Sequence, residues 1–143
     1  MELIKLHPNA ILPERGSDGA GGYDIFMPEA GGIDNGAYHA KLIRLGFAMK
    51  VPEGYVALLL PRSGAGAKQG VELRNTCGVI DSDYEGEWMA SIKTKEGHEL
   101  SWAAGERLLQ FVIVPCIAPA IEVVTEFSKK SERGAGGFGS TGQ

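Results

Sequence analysis

Cys77-Gly-Val-Ile-Asp-Ser-Asp-Tyr-Glu-Gly-Glu-Trp88 places two aspartates and a tyrosine between two apolar runs. Val79 and Ile80 read as the end of one strand and Trp88-Met-Ala-Ser-Ile92 as another, with Asp81-Ser82-Asp83 supplying the side chains that favour a reversal. The stretch therefore predicts an acidic hairpin, and a tight turn can hold catalytic groups. The same residues also describe a solvated loop, because turn chemistry alone accounts for Asp and Gly.

Outward from this turn, 21 glycines and 7 prolines punctuate β-branched and aromatic clusters of strand length. Strands are expected at Glu2–Leu6, Tyr23–Phe26, Tyr38–Met49, Tyr55–Leu60, Glu87–Thr94, Arg107–Val114 and Ala120–Thr125. Glu53-Gly54 and Lys95-Glu-Gly-His98 read as exposed turns. A short helix is predicted only at Ser63–Gln69, with Ser63 as its N-cap. These signals give an all-β barrel or sandwich, closed to hide its edges. Trp88 and Trp102 belong to a core or subunit interface, Cys116 to a buried strand end, and His7, His39 and His98 to surface or packing positions.

At 143 residues, 43% hydrophobic and 22% charged, the composition fits one soluble globular domain. Val56–Leu60 and Phe111–Val114, the longest apolar runs, fall far short of the ~20 residues a spanning helix needs. No basic start followed by a long apolar run opens the sequence, so a cytoplasmic setting is expected. Cys77 and Cys116 lie in no Cys-x-x-Cys or Cys/His cluster and read as reduced thiols. The formal net charge of −4 argues against stable nucleic-acid binding but leaves room for one small polyanion held by local arginines and a divalent cation.

Gly134-Ala-Gly-Gly-Phe-Gly139 spells the dinucleotide-binding motif, but no helix of a βαβ unit follows it. Pro61-Arg-Ser-Gly-Ala-Gly-Ala-Lys68 lacks the Gly-Lys-Ser/Thr end of a P-loop. It does combine the Arg62 donor fork, the Ser63 hydroxyl and the exposed backbone of Gly64, which suit an anion as well as they suit a capped turn. Asp24 could hold metal-bound water or cap a turn, and Arg107 reads as an ion-pair partner. After Phe127 the composition becomes charged and then glycine-rich. This segment, 128–143, reads as a flexible tail on a 1–127 domain, and its Arg, Phe and Ser-Thr pair suit a lid.

Taken in order, Ala20-Gly-Gly-Tyr-Asp-Ile25, Pro61-Arg-Ser-Gly64, Asn75 with Gly78–Gly86, Gly105-Glu-Arg-Leu-Leu-Gln110 and Arg133–Gly142 resemble the five motifs of the homotrimeric dUTP pyrophosphatases (dUTPases). The resemblance spans nearly the whole chain. It implies a jelly-roll-like β-barrel with one short helix, assembled as a homotrimer with shared active sites. The activity it implies is hydrolysis of dUTP with Mg²⁺ to dUMP and pyrophosphate, which limits uracil incorporation into DNA and supplies dUMP for thymidylate synthesis.

By this similarity Asp81 orients and deprotonates the water that attacks the α-phosphorus, and Tyr84 packs on the deoxyribose and excludes a 2′-hydroxyl. Asn75 and the backbone of Gly78, Val79 and Ile80 read uracil. Arg62, Ser63, Gly64 and Gln110 hold the triphosphate or its waters, and Asp24 meets the metal through water. From the tail, Phe138 stacks on uracil, while Arg133, Gly139, Ser140 and Thr141 serve the base and the distal phosphates. Glu106 stands where the family commonly has Asp, which is expected to alter a supporting ion pair. The related dCTP deaminases share the barrel, but Tyr84 and the Phe138-bearing tail favour pyrophosphate release. A nucleotide-gated regulator with a protein partner is the competing reading from another class.

Overall fold

Glycine-marked turns and alternating apolar residues resolve into ten strands and one helix in the computed structural model, which describes residues 1–33, 40–94 and 98–136. In chain order these are β1 (Leu3–Lys5), β2 (Gly22–Phe26), β3 (Gly31–Ile33), β4 (Lys41–Met49), β5 (Tyr55–Pro61), α1 (Ser63–Gln69), β6 (Val71–Leu73), β7 (Gly78–Ile80), β8 (Glu87–Thr94), β9 (Leu100–Trp102) and β10 (Arg107–Pro115). Two four-stranded antiparallel sheets, β1-β4-β8-β6 and β2-β10-β5-β7, form a jelly-roll-like β-barrel, with β3-β9 as a small accessory pair. The expected all-β fold with one short helix is therefore observed.

Period-two patterning sets the core. Along β8, Trp88, Ala90 and Ile92 are buried while Met89 is exposed. Trp88 meets Phe111 edge-on at 5.1 Å and Phe47 at 5.5 Å between ring centroids, and its indole N–H donates to the Met49 carbonyl at 3.1 Å. A polar partner lets so large a side chain be wholly buried. Trp102 likewise donates to the Glu29 carbonyl, so both tryptophans take core positions.

Several expectations change. The acidic turn is not a hairpin, because β7 pairs with β5 whereas β8 pairs with β4 and β6. Residues 81–86 cross from one sheet to the other. Alternation along a strand reveals a buried face but not a hydrogen-bonding partner.

The short β3, β6 and β9 were not among the expected strands; three residues leave little room for periodicity. The helix spans the predicted residues, but Arg62 takes the N-cap position and no side chain caps it, so Ser63 is the first helical residue. Arg62 enters from β5 with its amide already bonded to the Leu108 carbonyl at 2.9 Å.

Ala120–Thr125 forms no strand. The chain leaves the barrel at Pro115, and residues 115–135 are all exposed, including Ile117, Ile121, Val123 and Phe127 at 85% or more. Its β-propensity finds no strand partner among the described residues, and Cys116 is exposed as well. The expected strand start at Tyr38, His39 and most of the 95–98 turn lie outside the described residues.

Candidate active site

Asp24 lies in β2 at 7% exposure, the buried charged residue among those described. Its Oδ1 accepts from Arg62 Nε at 2.7 Å and its Oδ2 from Arg107 Nη1 at 3.2 Å. Arg62 is placed by the passage from β5 into α1, and its Nη1 also donates to the Arg107 carbonyl at 3.3 Å. Opposite Asp24 in the β2–β10 register is Gln110, whose Nε2 donates to the Pro61 carbonyl at 3.1 Å. Ser63 and Gly64 are exposed at the start of the helix.

Two guanidiniums against one carboxylate leave a surplus positive charge, and both arginines are partly open to solvent, at 35% and 40% of their side-chain surface. Their remaining N–H groups suit phosphate oxygens. Arg107 thus proves to be an ion-pair partner, as expected, and its partner is Asp24. Glu106, where an altered supporting ion pair is expected, accepts through Oε1 from Gln69 Nε2 at 3.5 Å. Its Oε2 accepts from the Ala103 amide at 3.0 Å and closes the turn into β10.

The second group of predicted residues surrounds β7. Asn75 is exposed in the turn after β6, and its carbonyl accepts from the Cys77 amide at 2.6 Å. As the edge strand of its sheet, β7 has β5 on one side only, and an edge leaves backbone N–H and C=O groups for a ligand. Val79 is 62% exposed while Ile80 is buried.

A Cβ on Gly78 would approach Leu59 Cβ to 3.0 Å, so packing within the sheet already restricts that position. Asp81 is exposed, and its carboxylate has no hydrogen-bond partner among the described residues. The Tyr84 amide donates to the Asp81 carbonyl at 3.3 Å, and the Tyr84 hydroxyl donates to the Glu87 carbonyl at 2.9 Å.

These two groups do not meet within one chain. Gly78 faces Leu59 and Ile80 faces Ala57, so β7 runs toward the start of β5 while Arg62 follows its end. At ~3.3 Å per strand residue, Asp81 and Arg62 are separated by roughly 20 Å. Arg133 is exposed on the arm and donates through Nε to its own neighbour, the Gly136 carbonyl, at 2.7 Å. Phe138, Gly139, Ser140 and Thr141 lie outside the described residues.

Glu87, absent from the predicted site, connects the crossing segment to β4. Its carboxylate accepts from Arg44 Nε at 2.6 Å and from the Gly46 amide at 3.0 Å. The Arg44 hydrogen bond holds its carboxyl below the ordinary glutamate range, outweighing burial, which acts in the opposite direction. Sequence gave no sign of this contact because its partners lie more than forty residues away.

A sequence model of the dUTPase family matches residues 8–142. The chain belongs to the dUTPase family. It is 44% identical over 135 residues to the deoxyuridine 5′-triphosphate nucleotidohydrolase of Psychrobacter cryohalolentis, a match covering 92% of this chain and 86% of the relative. The Staphylococcus bacteriophage 80alpha dUTPase, solved with dUPNHPP, is 32% identical with a TM-score of 0.88, over 99% of this chain and 98% of that one. A dUTPase of S. aureus phage phi11, described for its coordination of a structural Mg(II) ion, is 27% identical with a TM-score of 0.79, over 90% and 98%.

The magnesium that the dUTPase family implies can be tested against the donor set. Among the described residues no group of three or more His, Cys, Asp or Glu side chains could form a direct metal cage. Asp24 has one donor on each oxygen, and each carboxylate oxygen retains a further acceptor site. A hard cation beside Asp24 would have to be held mainly by phosphate oxygens and waters, whose negative charge would also offset the surplus of the two arginines, with Asp24 able to accept from one of those waters. No helix among the described residues is long and apolar enough to cross a membrane.

Proposed function

We infer that this chain hydrolyses dUTP to dUMP and pyrophosphate as a homotrimer, each site drawing its phosphate-binding and base-binding halves from different subunits. The observation that carries the shared-site reading is the register of β7 on β5, which separates Asp81 from Arg62 by roughly 20 Å. One substrate contacting both groups would then need two chains. The exposed run from Pro115 to Ala135 supports assembly as well, since apolar side chains such as Ile121 and Val123 gain burial only against another surface.

In this reading the edge of β7, Gly78 to Ile80, and Asn75 receive uracil, and Tyr84 forms the wall beside the deoxyribose. Arg62, Ser63, Gly64 and Gln110 of another subunit hold the triphosphate. Asp81 aligns a water with the α-phosphorus and accepts its proton as the new O–P bond forms; the bond from the α-phosphorus to the bridging oxygen breaks, and pyrophosphate leaves. Magnesium, reached through water by Asp24, would supply charge neutralisation on the phosphate oxygens. Residues 128–143 act as the lid, with Arg133, Ser140 and Thr141 on the distal phosphates, and Phe138 with Gly139 over the base.

Hydrolysis of dUTP, dCTP, dTTP and UTP in parallel, with Mg²⁺, tests the reading. Rapid release of dUMP and pyrophosphate from dUTP is expected, with little turnover of the other three. Ammonia from dCTP without pyrophosphate release from dUTP would overturn it in favour of a deaminase.

A further inference from the structure

The Tyr84 wall is held from behind by a carboxylate seated in a defect of the neighbouring strand. Between the pairs Arg44–Met89 and Ala48–Glu87 the β4–β8 register slips, so Leu45, Gly46 and Phe47 stand opposite Trp88 alone. A bulge of this kind leaves ladder groups unpaired. Here the Gly46 carbonyl accepts from the amides of Leu6 and His7 at 2.8 and 3.0 Å. Its N–H, which the bulge turns away from a ladder partner, is taken by Glu87 Oε1 at 3.0 Å.

Gly46 has φ +79°, and a Cβ there would lie 2.9 Å from His7 Cβ, so the bulge is fixed in place by its surroundings. Arg44 grips the other carboxylate oxygen through Nε and Nη2, and Glu87 keeps only 11% of its side-chain surface exposed. Trp88, wholly buried, locks the next residue.

The same Glu87 offers its backbone carbonyl to the Tyr84 hydroxyl at 2.9 Å. The tyrosine can fold back this far only because residue 86 is glycine: a Cβ there would lie 2.5 Å from the Tyr84 hydroxyl oxygen and 2.7 Å from the ring carbon that bears it. The ring is therefore tethered at its far end to a backbone carbonyl that is itself pinned by a side chain in the β4 bulge. A wall discriminates against a bulkier sugar only insofar as it cannot give way, which requires support of this kind behind it.

We propose that Glu87 is a positioning residue for sugar selection: by seating its carboxylate on the Gly46 amide in the β4 bulge, it fixes the carbonyl that tethers Tyr84 and so stiffens the wall against a 2′-hydroxyl. This rests on the reading of Tyr84 as the wall beside the deoxyribose.

The test is the ratio of kcat/KM for dUTP to that for UTP, measured beside thermal unfolding and light scattering. Glu87→Ala and Tyr84→Phe should each lower the ratio on the order of tenfold, and the double variant should lower it little further, because one frees the carbonyl and the other removes the hydroxyl of the same tether. Additive losses would overturn the proposal. Glu87→Gln keeps an acceptor for Gly46 and should stay within about twofold of the parent ratio; a Gln variant as unselective as Ala would overturn the seating role.

Should Glu87→Ala fail to fold, Glu87→Asp withdraws the carboxylate from Gly46 by one methylene while keeping its charge. A folded Asp variant with the parent ratio sinks the proposal, and an intermediate ratio supports it. Tyr84→Ala separates the two ideas. If it leaves the ratio unchanged, the sugar-wall reading itself fails; if it lowers the ratio while Glu87→Ala does not, only the role of Glu87 fails.

Discussion

Replacing Asp24 by Ala removes the one carboxylate between Arg62 and Arg107 and leaves two cations facing each other across β2, β5 and β10. At an effective dielectric near 20, a unit pair about 4 Å apart is worth roughly 4 kcal/mol. Asp24 makes two such pairs, at 2.7 and 3.2 Å between heavy atoms. Against them stand repulsion between the guanidiniums and the cost of burying a carboxylate at 10% side-chain exposure.

Both arginines are more than a third exposed and can turn toward water, so screening reduces the net loss to about 2 kcal/mol rather than the 3–5 kcal/mol of a fully buried broken pair. Urea unfolding should show that loss. Asp24→Asn, which keeps an acceptor for one arginine, should lose about half as much. The kinetic effect should exceed what stability alone gives: an unaimed Arg62 costs transition-state contacts, and kcat/KM for dUTP should fall on the order of 100-fold. A stable Asp24→Ala variant with parent kcat/KM would refute the claim that Asp24 orients Arg62.

Elsewhere in the barrel, Trp88→Ala should cost about 3–5 kcal/mol in urea unfolding, because it empties a fully buried site packed by Phe47 and Phe111. Glu87, whose carboxyl is held low by Arg44, contributes stability that is complete above the ordinary glutamate range and lost as pH falls through its depressed folded value. The difference in Tm between the parent and Glu87→Gln should accordingly be largest near neutral pH and shrink in acid; a difference that grows in acid would contradict the assignment. Val123→Asp on the exposed arm should weaken the proposed trimer in light scattering while leaving the barrel's circular dichroism unchanged, and a variant as trimeric as the parent would show that this side chain finds no apolar partner.

What the sequence made legible follows the range of the forces involved. The helix at Ser63–Gln69 and the bodies of β4, β5, β8 and β10 are written locally in patterning and punctuation. The partner of β7 is not: Val79 and Ile80 look like half of a hairpin with Trp88, yet their hydrogen bonds go to β5. Ala120–Thr125 carries β-forming residues yet makes no strand, because propensity alone supplies no partner to pair with.

In the site, the resemblance placed Asp81, Tyr84, Arg62 and Gln110 in separate motifs without showing that one chain holds them at opposite ends of β5. Asp24 carries a turn-like local context, while its arginine contacts lie 38 and 83 residues away. Glu87 takes its meaning from a bulge in β4 that no motif marks.

Sharing of the site between subunits is tested most directly by complementation. Asp81→Asn and Arg62→Ala homotrimers should each be nearly inactive. In trimers mixed at equal amounts, a site is intact when the subunit lending Asp81 carries the Arg62 substitution and the subunit lending Arg62 carries the Asp81 substitution. Random assembly gives this in about a quarter of sites. The account predicts recovery of about a quarter of the parent rate on dUTP, whereas mixed trimers no more active than their two parents would place Asp81 and Arg62 in the same chain's site and contradict it.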